Sequence, residues 1–467
     1  MQIDFAIQSY TARALPFSAQ RCVNYFAESA PLAGKAKTPV VVYNAPGTTA
    51  FAEGLSGAVR GSRTMAGVLY VVAGNALYSV SAAGVETLLG AINTFIGSVS
   101  MAVNRASPQQ LCFVDGVDGW IYDTVGGLQQ ITDDDFEPAD TVTFQDGYFI
   151  FNRKGTSEFF ISGIDDGLSY SATDFADAEG GPDAVVAVYS NHRELWVFGE
   201  ETIEIYYNSG NADFPFERIA GAYLERGCAA AFSIADEDNT LFWLGEDLII
   251  YRAQGYTPQR ISTHAIEEEL RTFSTVSDAY AFFVTLSGHK FYHITFPAGG
   301  RTFVYDAATG LWHERESFGA AYWRGTAYAS AYGKHIVGDA FVGRMGALDM
   351  DTFTEYGVTM QGILTGPPTH EDRKRVFHRS FELDIESGVG TTLGGSPQLW
   401  LDYSDDGGRT WSLRKPFRSL GKIGEYRHRL IWRRLGQARE RIYRATIADA
   451  VKRSVLAAHA TLEMGAN

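Results

Sequence analysis

The sequence predicts an all-β protein: a β-propeller of about seven blades followed by a smaller β-sandwich-like platform domain. Three observations carry that expectation. Pairs of aromatic-rich strands recur around Gly, Asn or Asp turns, starting at Leu69, Leu111, Tyr148, Glu194, Thr240, Lys290 and Lys334. Helical periodicity is scarce in a chain with 49 Gly and 13% aromatic residues. The repeats stop near Tyr356, and Gly366-Pro367-Pro368 precedes a stretch of different character.

The repeats set the architecture. Their starts advance by 42, 37, 46, 46, 50 and 44 residues. A period of 40–50 residues with two such strands per repeat is the mark of a propeller blade. One blade cannot bury both of its faces alone, whereas radial packing covers the faces and leaves only short edges. Leu69 to Val80 is the clearest unit, two strands around Gly74-Asn75. The best helix pattern is Ser262 to Phe273, with Ile266, Leu270 and Phe273 on one face.

The expected division is an N-terminal segment 1–50, a propeller over 51–358, and a C-terminal domain over 359–467, with 366–368 as a linker or hinge. In the last part, Val376 to Ile385, Gln398 to Tyr403, Tyr426 to Arg434, Arg441 to Ile447 and Ser454 to Met464 read as five strands. The strand-like stretches Ile3 to Tyr10 and Arg21 to Phe26 are expected to pair with that C-terminal sheet.

Composition excludes several classes. The 467 residues are 45% hydrophobic and 20% charged, which is globular rather than disordered. No run of eighteen apolar residues occurs, so no membrane-spanning helix or anchor is expected. The start, Met1 to Phe5, lacks the basic and apolar regions of a secretory signal. Cys22, Cys112 and Cys228 are odd in number and far apart, against a disulfide framework or zinc module and in keeping with folding in a reducing compartment.

The net charge of −16 is uneven. From residue 361 onward there are 18 Lys and Arg against 12 Asp and Glu, and before it 21 against 43. An acidic body with a basic end does not suit tight DNA binding, which needs many phosphate-neutralising cations. It suits a chain whose two parts attract different neighbours.

Motifs for catalysis are sparse. Asp133-Asp134-Asp135, Asp165-Asp166 and Asp236-Glu237-Asp238 lack calcium-loop spacing and read as solvated loops. His289 and His293 on a strand would stand about 13 Å apart, too far to share a metal. Gly54 to Gly57 resembles the start of a nucleophile elbow, but Ala58 occupies the last glycine position. Phosphate-loop, dinucleotide, zincin and CxxC motifs are absent from the sequence. No catalytic, cofactor-binding or metal residues are therefore assigned, and no cofactor and no enzymatic activity are expected.

Two local patterns stand out. Ser404, Asp406, Gly408, Thr410 and Trp411 match S-x-D-x-G-x-T-W, which resembles the Asp-box of sialidases and related propellers. It is a turn-forming element there, with the carboxylate bonding turn amides and the Trp plugging the hairpin base. Arg427, Arg429, Arg433, Arg434 and Arg441 form a basic stretch, a candidate interface for an acidic partner. Arg makes bidentate pairs with carboxylates and is favoured at interfaces.

The wording of the chain also carries a resemblance. Ala45 to Phe51, Gly57 to Gly61 and Leu69 to Tyr78 are similar to the opening of the packaged-DNA-stabilisation proteins, the tail hub or nozzle family of short-tailed bacteriophages. Asp183 to Gly199, Glu204 to Gly210, Pro215-Phe216, Gly227-Cys228 and Phe242 to Gly245 are the most family-like. Ser404 to Trp411, Leu420-Gly421 and Trp432 to Gly436 resemble the C-terminal portion. The resemblance implies a non-enzymatic virion protein, a homohexameric ring below the head-to-tail adaptor. Such a ring extends the DNA channel, retains packaged double-stranded DNA without binding it specifically, and takes part in DNA ejection. The implied partners are the adaptor, tail spikes or fibres, and a needle or plug, with assembly in the host cytoplasm. The competing reading, from the Asp-box and the propeller, is a glycan-active sialidase-like enzyme. It requires a cluster of arginines and a nucleophilic Tyr in one pocket.

Overall fold

The structure, a computed structural model, describes residues 2–465 apart from Asp4, Ala6, 31–37, Glu179, Pro182, Arg373 and 390–394. Two positions of the expected first strand, Asp4 and Ala6, thus lie outside the described residues.

Each predicted pair of strands is the middle of a four-stranded antiparallel unit. In blade 1 the order is Val59–Met65, Val68–Ala73, Ala76–Val80, Glu86–Ala91. The turn at Gly74-Asn75 joins Ala73 to Ala76, which face each other across the ladder, and Gly74 sits at φ +53°. A backbone in that left-handed region favours glycine. Six such units follow one another, beginning at Val59, Ser100, Val142, Val185, Ala235 and Tyr280. The seventh has three consecutive strands, Gly325–Ala331, Lys334–Asp339 and Met345–Asp349, and takes its fourth, Gly47–Ala52, from the N-terminal side of the chain. That strand straddles the expected boundary at 50/51.

Alternation along the middle strands explains why these units pack radially. Leu69, Val71 and Ala73 face blade 7, against Ile336 and Met345. Tyr70 and Val72 point the other way, against Leu111, Phe113 and Trp120 of blade 2. Successive side chains of a strand leave by opposite faces, so a strand apolar at every position needs a neighbour on each side. First strands of successive blades meet around the axis, and Gly325–Ala331 packs on Val59–Met65 to close the ring.

The helix is shorter than its sequence pattern. It spans His264–Leu270, with the Thr263 hydroxyl accepting from the Ile266 amide. Ser262 instead hydrogen-bonds Glu267 from outside the helix, and the Phe273 end is a turn against Phe296.

The remaining strands form two facing sheets. One runs Tyr25–Ser29, Val40–Asn44, Ser454–Met464, Val376–Ile385, Leu430–Arg433. The other runs Ala19–Val23, Gly362–Thr365, Glu440–Ile447, Gln398–Ser404, Phe417–Ser419. Phe381, Leu383, Trp432 and Tyr443 lie buried between them, with the Phe381 and Tyr443 rings 4.4 Å apart.

Two expectations are corrected here. Residues 426–429 are not strand; Glu425 folds back to accept from the Lys422 amide at 2.8 Å, between positive-φ Gly421 and Gly424. Residues 366–368 are not a hinge. Gly362–Thr365 already pairs with both Arg21–Val23 and Arg444–Ile447, and a Cβ on Gly366 would stand 2.6 Å from the Phe5 ring.

The second sheet continues into blade 6, where Val23 pairs with Glu314. An ionic network reinforces the seam. Arg21 binds Glu314 and Glu316, and Arg301 reaches Glu269, Glu314 and Glu316.

Candidate functional site

Three places could carry function: the turn at 404–411, the arginines of the sandwich, and the propeller axis.

The turn is built by its carboxylate. Asp406 accepts from the Ser404 hydroxyl at 2.7 Å, the Arg409 amide at 2.9 Å, and the Thr410 amide and hydroxyl at 2.9 and 2.6 Å. The Gly408 amide reaches Ser404 Oγ at 2.8 Å. These donors, led by the Thr410 hydroxyl and amide, hold the Asp406 carboxyl well below the usual range. Trp411 lies outside the turn, half-buried, with the Arg444 guanidinium 3.8 Å above its ring. Arg444 itself pairs with Asp402. All of this is internal bonding, and it leaves the Asp406 carboxylate little capacity for a ligand.

The five arginines do not form one surface. Arg441 is buried, with its Nε and Nη2 at 2.6 and 2.7 Å from the two Asp405 oxygens, and it stacks on Tyr403. It belongs to the core of the sandwich and is corrected as an interface candidate. Its strand, Glu440–Ile447, is central in its sheet, so inward-facing positions have no route to solvent. Arg429 is exposed but held by both oxygens of Glu382 at 2.8 Å. Arg427, Arg433 and Arg434 are exposed and carry no ion pair among the described residues.

The propeller axis is lined by first strands. Arg63, Tyr189, Asp236, Glu237, Tyr280 and Tyr328 face one space near the centre. Asp236 accepts from the Tyr189 hydroxyl. Asp238 pairs with Arg252 and Lys290. The acidic run 236–238 is therefore a first strand and its turn, not a free solvated loop. Burial, then the Asp236 carboxylate, pushes the Tyr189 phenol up, the wrong direction for a nucleophilic phenolate. Arg60 does not face a ligand; it bonds carbonyls of Gly74, Thr94, Ile96 and Gly97. His289 and His293 both lie on His289–Phe296; His289 binds Asp306 at 2.7 Å, and His293 is buried beside Trp323. No group of three or more metal-ligating side chains occurs among the described residues. No helix among them is long and apolar enough to cross a membrane.

Residues 1–353 match the family described as bacteriophage P22 Gp10, β-propeller, and residues 363–463 match its β-sandwich counterpart. The chain belongs to the Gp10 family of phage tail hub proteins. The gap between the two family regions, 354–362, follows the last strand of blade 7, but the first region also takes in Ala19–Val23, Tyr25–Ser29 and Val40–Asn44, which lie in the sandwich sheets. No curated protein matches the chain significantly. Among solved structures, a streptogramin B lyase is 12% identical, covering 70% of this chain and 98% of its own, at a TM-score of 0.41. Virginiamycin B lyase from Staphylococcus aureus is 12% identical over 62% of this chain and 94% of its own, at 0.45. A computationally designed protein, Ika8, is 14% identical over 70% and 99%, at 0.38. Likeness at that level says nothing of what a Gp10-family chain binds or does.

Sequence reasoning passed over Arg60 and the connection it braces, and over the buried Glu314, Arg315 and Arg453. No local motif marks them. Each acts on chain far away in sequence.

Proposed function

We propose that this chain is a structural, non-enzymatic virion protein. In this reading copies of it assemble as a ring below the head-to-tail adaptor, with six copies as the expected number. The ring extends the DNA channel, retains packaged DNA, and offers surfaces to spikes or fibres and to a needle or plug. The observation that carries the reading is the family match across both the propeller and the sandwich.

Physical features support it. The acidic excess over 1–360 suits a conduit, since a negative wall repels phosphates and lets DNA slide. The Asp-box carboxylate is spent on its own turn, and burial pushes the phenols of Tyr189, Tyr280 and Tyr328 beside the axis up rather than down, which disfavours the glycan-active alternative. Exposed Arg427 and Arg434 carry no ion pair among the described residues and are placed to meet carboxylates of a neighbouring subunit, while Arg433 lies near Glu382, whose carboxyl it helps lower.

Quantitative mass spectrometry of purified particles, counting this chain against the capsid protein, tests the reading. A closed cyclic ring of about six copies per particle is expected. Absence from the particle overturns it, and hydrolysis of a fluorogenic sialoside then becomes the next measurement.

A further inference from the structure

The first strands of the blades enclose a cavity on the propeller axis. It has a volume of about 460 Å³ and is walled by blades 1 to 6, with Thr143 and Ser190 adding hydroxyls to a mostly polar lining. Its mouth lies where the first strands end, and Phe232 closes the opposite side. Blade 5 has a first strand of only three residues, Ala235–Glu237, because the chain before it winds into a short 3₁₀ turn, Ala231–Ser233. The Ser233 hydroxyl donates to Ala230 O at 2.7 Å and accepts from the Leu244 amide at 3.1 Å, and the Tyr292 hydroxyl donates to Ser233 O at 2.6 Å. The turn so fixed puts Phe232 between this cavity and a second one beside Ala184 and Ser277, where the first strands begin. The bore is thus two cups rather than a tube.

Two arginines line the first cup. Arg63 and Arg105 both face it, and neither carries an ion pair among the described residues. Both spring from fixed backbone. Arg63 lies on Val59–Met65, paired with Tyr70 of the next strand. Arg105 follows the buried Asn104, whose side-chain amide is tied to Gln110 at 2.9 and 2.6 Å.

Carboxylates at the same end of the propeller are mostly taken. Glu237 and Asp238 hold Lys290 at 3.4 and 3.0 Å, and Asp146 holds Arg193 at 3.0 Å. Asp236 lines the cup and accepts from the Tyr189 hydroxyl. The lining therefore sets two unpaired cations against one carboxylate, in a part of the chain where acidic residues outnumber basic ones by 43 to 21. Guanidinium forks without a partner, around a preformed polar cup, are the fittings of an oxyanion site. Asp236 adds a requirement. A carboxylate facing the same space accepts hydrogen bonds and repels a bare anion, so it favours an oxyanion that also carries an O–H group.

We propose that this axial cup binds a small oxyanion bearing an O–H group, hydrogen phosphate or a hydroxycarboxylate, with Arg63 and Arg105 holding its charged oxygens and Asp236 accepting from its hydroxyl. Phe232 is the floor against which the ligand rests. The site belongs to a single chain and is complete without a neighbour, so it stands apart from the hub reading, and the failure of that reading would leave it untouched.

The test is isothermal titration of the whole purified chain with sodium phosphate, sodium citrate and sodium sulfate, at pH 7 and equal ionic strength. Phosphate or citrate is expected to saturate one site per chain, and which of them does so names the ligand class. Sulfate, which has no proton to give at that pH, is expected to bind more weakly than either. Arg63→Gln and Arg105→Gln are each expected to weaken binding about tenfold or more. Asp236→Asn, which turns an acceptor into a group that also donates, is expected to narrow the gap between sulfate and phosphate. No saturation by phosphate or citrate overturns the proposal, as does sulfate binding equal to both, or unchanged affinity when both arginines are replaced. If a glutamine variant fails to fold, crystals of the unaltered chain soaked in arsenate decide instead. An anomalous peak between Arg63 and Arg105 supports the site, and peaks only elsewhere, an adventitious ion only, or no peak overturn it.

Discussion

Arg21 grips Glu314 across 293 residues of sequence, with Nε at 3.2 and 3.1 Å from the two carboxylate oxygens. Burial alone would raise the Glu314 carboxyl, but the charges of Arg21 and Arg301 outweigh it and hold the group below its ordinary value. A carboxyl lowered on folding stabilises the protein above its unfolded pKa, and that contribution is lost as pH falls through the lowered value. Removing one partner of a buried pair leaves the other uncompensated, at about 3–5 kcal/mol. Glu314→Ala is expected to lower stability by roughly 1–3 kcal/mol at neutral pH, below that full cost because Glu316 stays within reach of both guanidinium groups. Urea unfolding at pH 7 and pH 3 checks this, and the gap between variant and parent should shrink at the lower pH.

A second dependence comes from buried imidazoles. Burial lowers His313 to about 4, and burial with the nearby Arg441 charge lowers His378 to about 4. In the unfolded chain both titrate near 6.5. Below about pH 6.5 the unfolded chain takes up protons that the folded chain refuses, so stability declines until the folded groups also protonate. His289 acts oppositely: its bond to Asp306 raises it, so its contribution is complete at low pH and lost as pH rises through the raised value. The expected result for His378→Gln is a shallower decline between pH 6 and pH 4, by about 1.4 kcal/mol per pH unit. Thermal midpoints across that range decide it.

The arginines of the sandwich separate into two kinds. Arg441→Ala removes a buried guanidinium from Asp405, whose own side chain is open to water, so a loss of about 2 kcal/mol is expected rather than the full cost of a buried pair. Arg433→Glu with Arg434→Glu breaks no close ion pair among the described residues, but Arg433 helps lower the Glu382 carboxyl, so a drop in stability of under about 1 kcal/mol is expected. The same double variant is expected to be missing from assembled tails. Normal incorporation, measured by mass spectrometry of particles, would remove these arginines from the interface.

Ring closure can be broken at a single carbon. A Cβ on Gly47 would stand 2.3 Å from Thr352 O, a backbone atom that cannot swing aside. Gly47→Val should therefore displace the fourth strand of blade 7, at about 1–3 kcal/mol or more. Faster hydrogen exchange confined to 47–52 and 345–349 is the expected signature.

Asp406→Ala removes the acceptor around which the 404–411 turn is wound. Trypsin cleavage after Arg409 and Arg414 is expected to accelerate several-fold, with the melting midpoint little changed. An unchanged cleavage rate would mean that the rest of the loop holds the turn without the carboxylate.

The sequence displays the middle strands of the blades plainly. They are apolar on both faces and joined by short turns, as at Leu69–Val80, so local pattern and final environment agree. Outer and inner strands are far less legible. Glu86–Ala91 is half-exposed along its length, and Ala235–Glu237 places acidic side chains beside the axis, so neither reads as part of an apolar core. The closing strand Gly47–Ala52 pairs with residues almost 300 positions away, and no local period encodes that. The candidate site divides similarly. Asp406 and its donors are near neighbours in sequence, and the motif names them. Arg441 and Arg433 look alike in the sequence, and only the position of their strands in the sheets buries one and exposes the other.

The strand that seals blade 7 is made long before its partner. Gly47–Ala52 leaves the ribosome first, and Met345–Asp349 follows roughly 300 residues later, some 15–60 s at ordinary elongation rates. During that interval blades 1 to 6 can form in order, but the propeller remains an open arc with an apolar blade face bare at each end and Gly47–Ala52 without its partner edge. The nascent chain is thus most vulnerable to pairing with a neighbour on the same polysome just before translation passes Asp349. A chaperone that shields that face and strand would raise the yield of closed subunits without touching any finished surface.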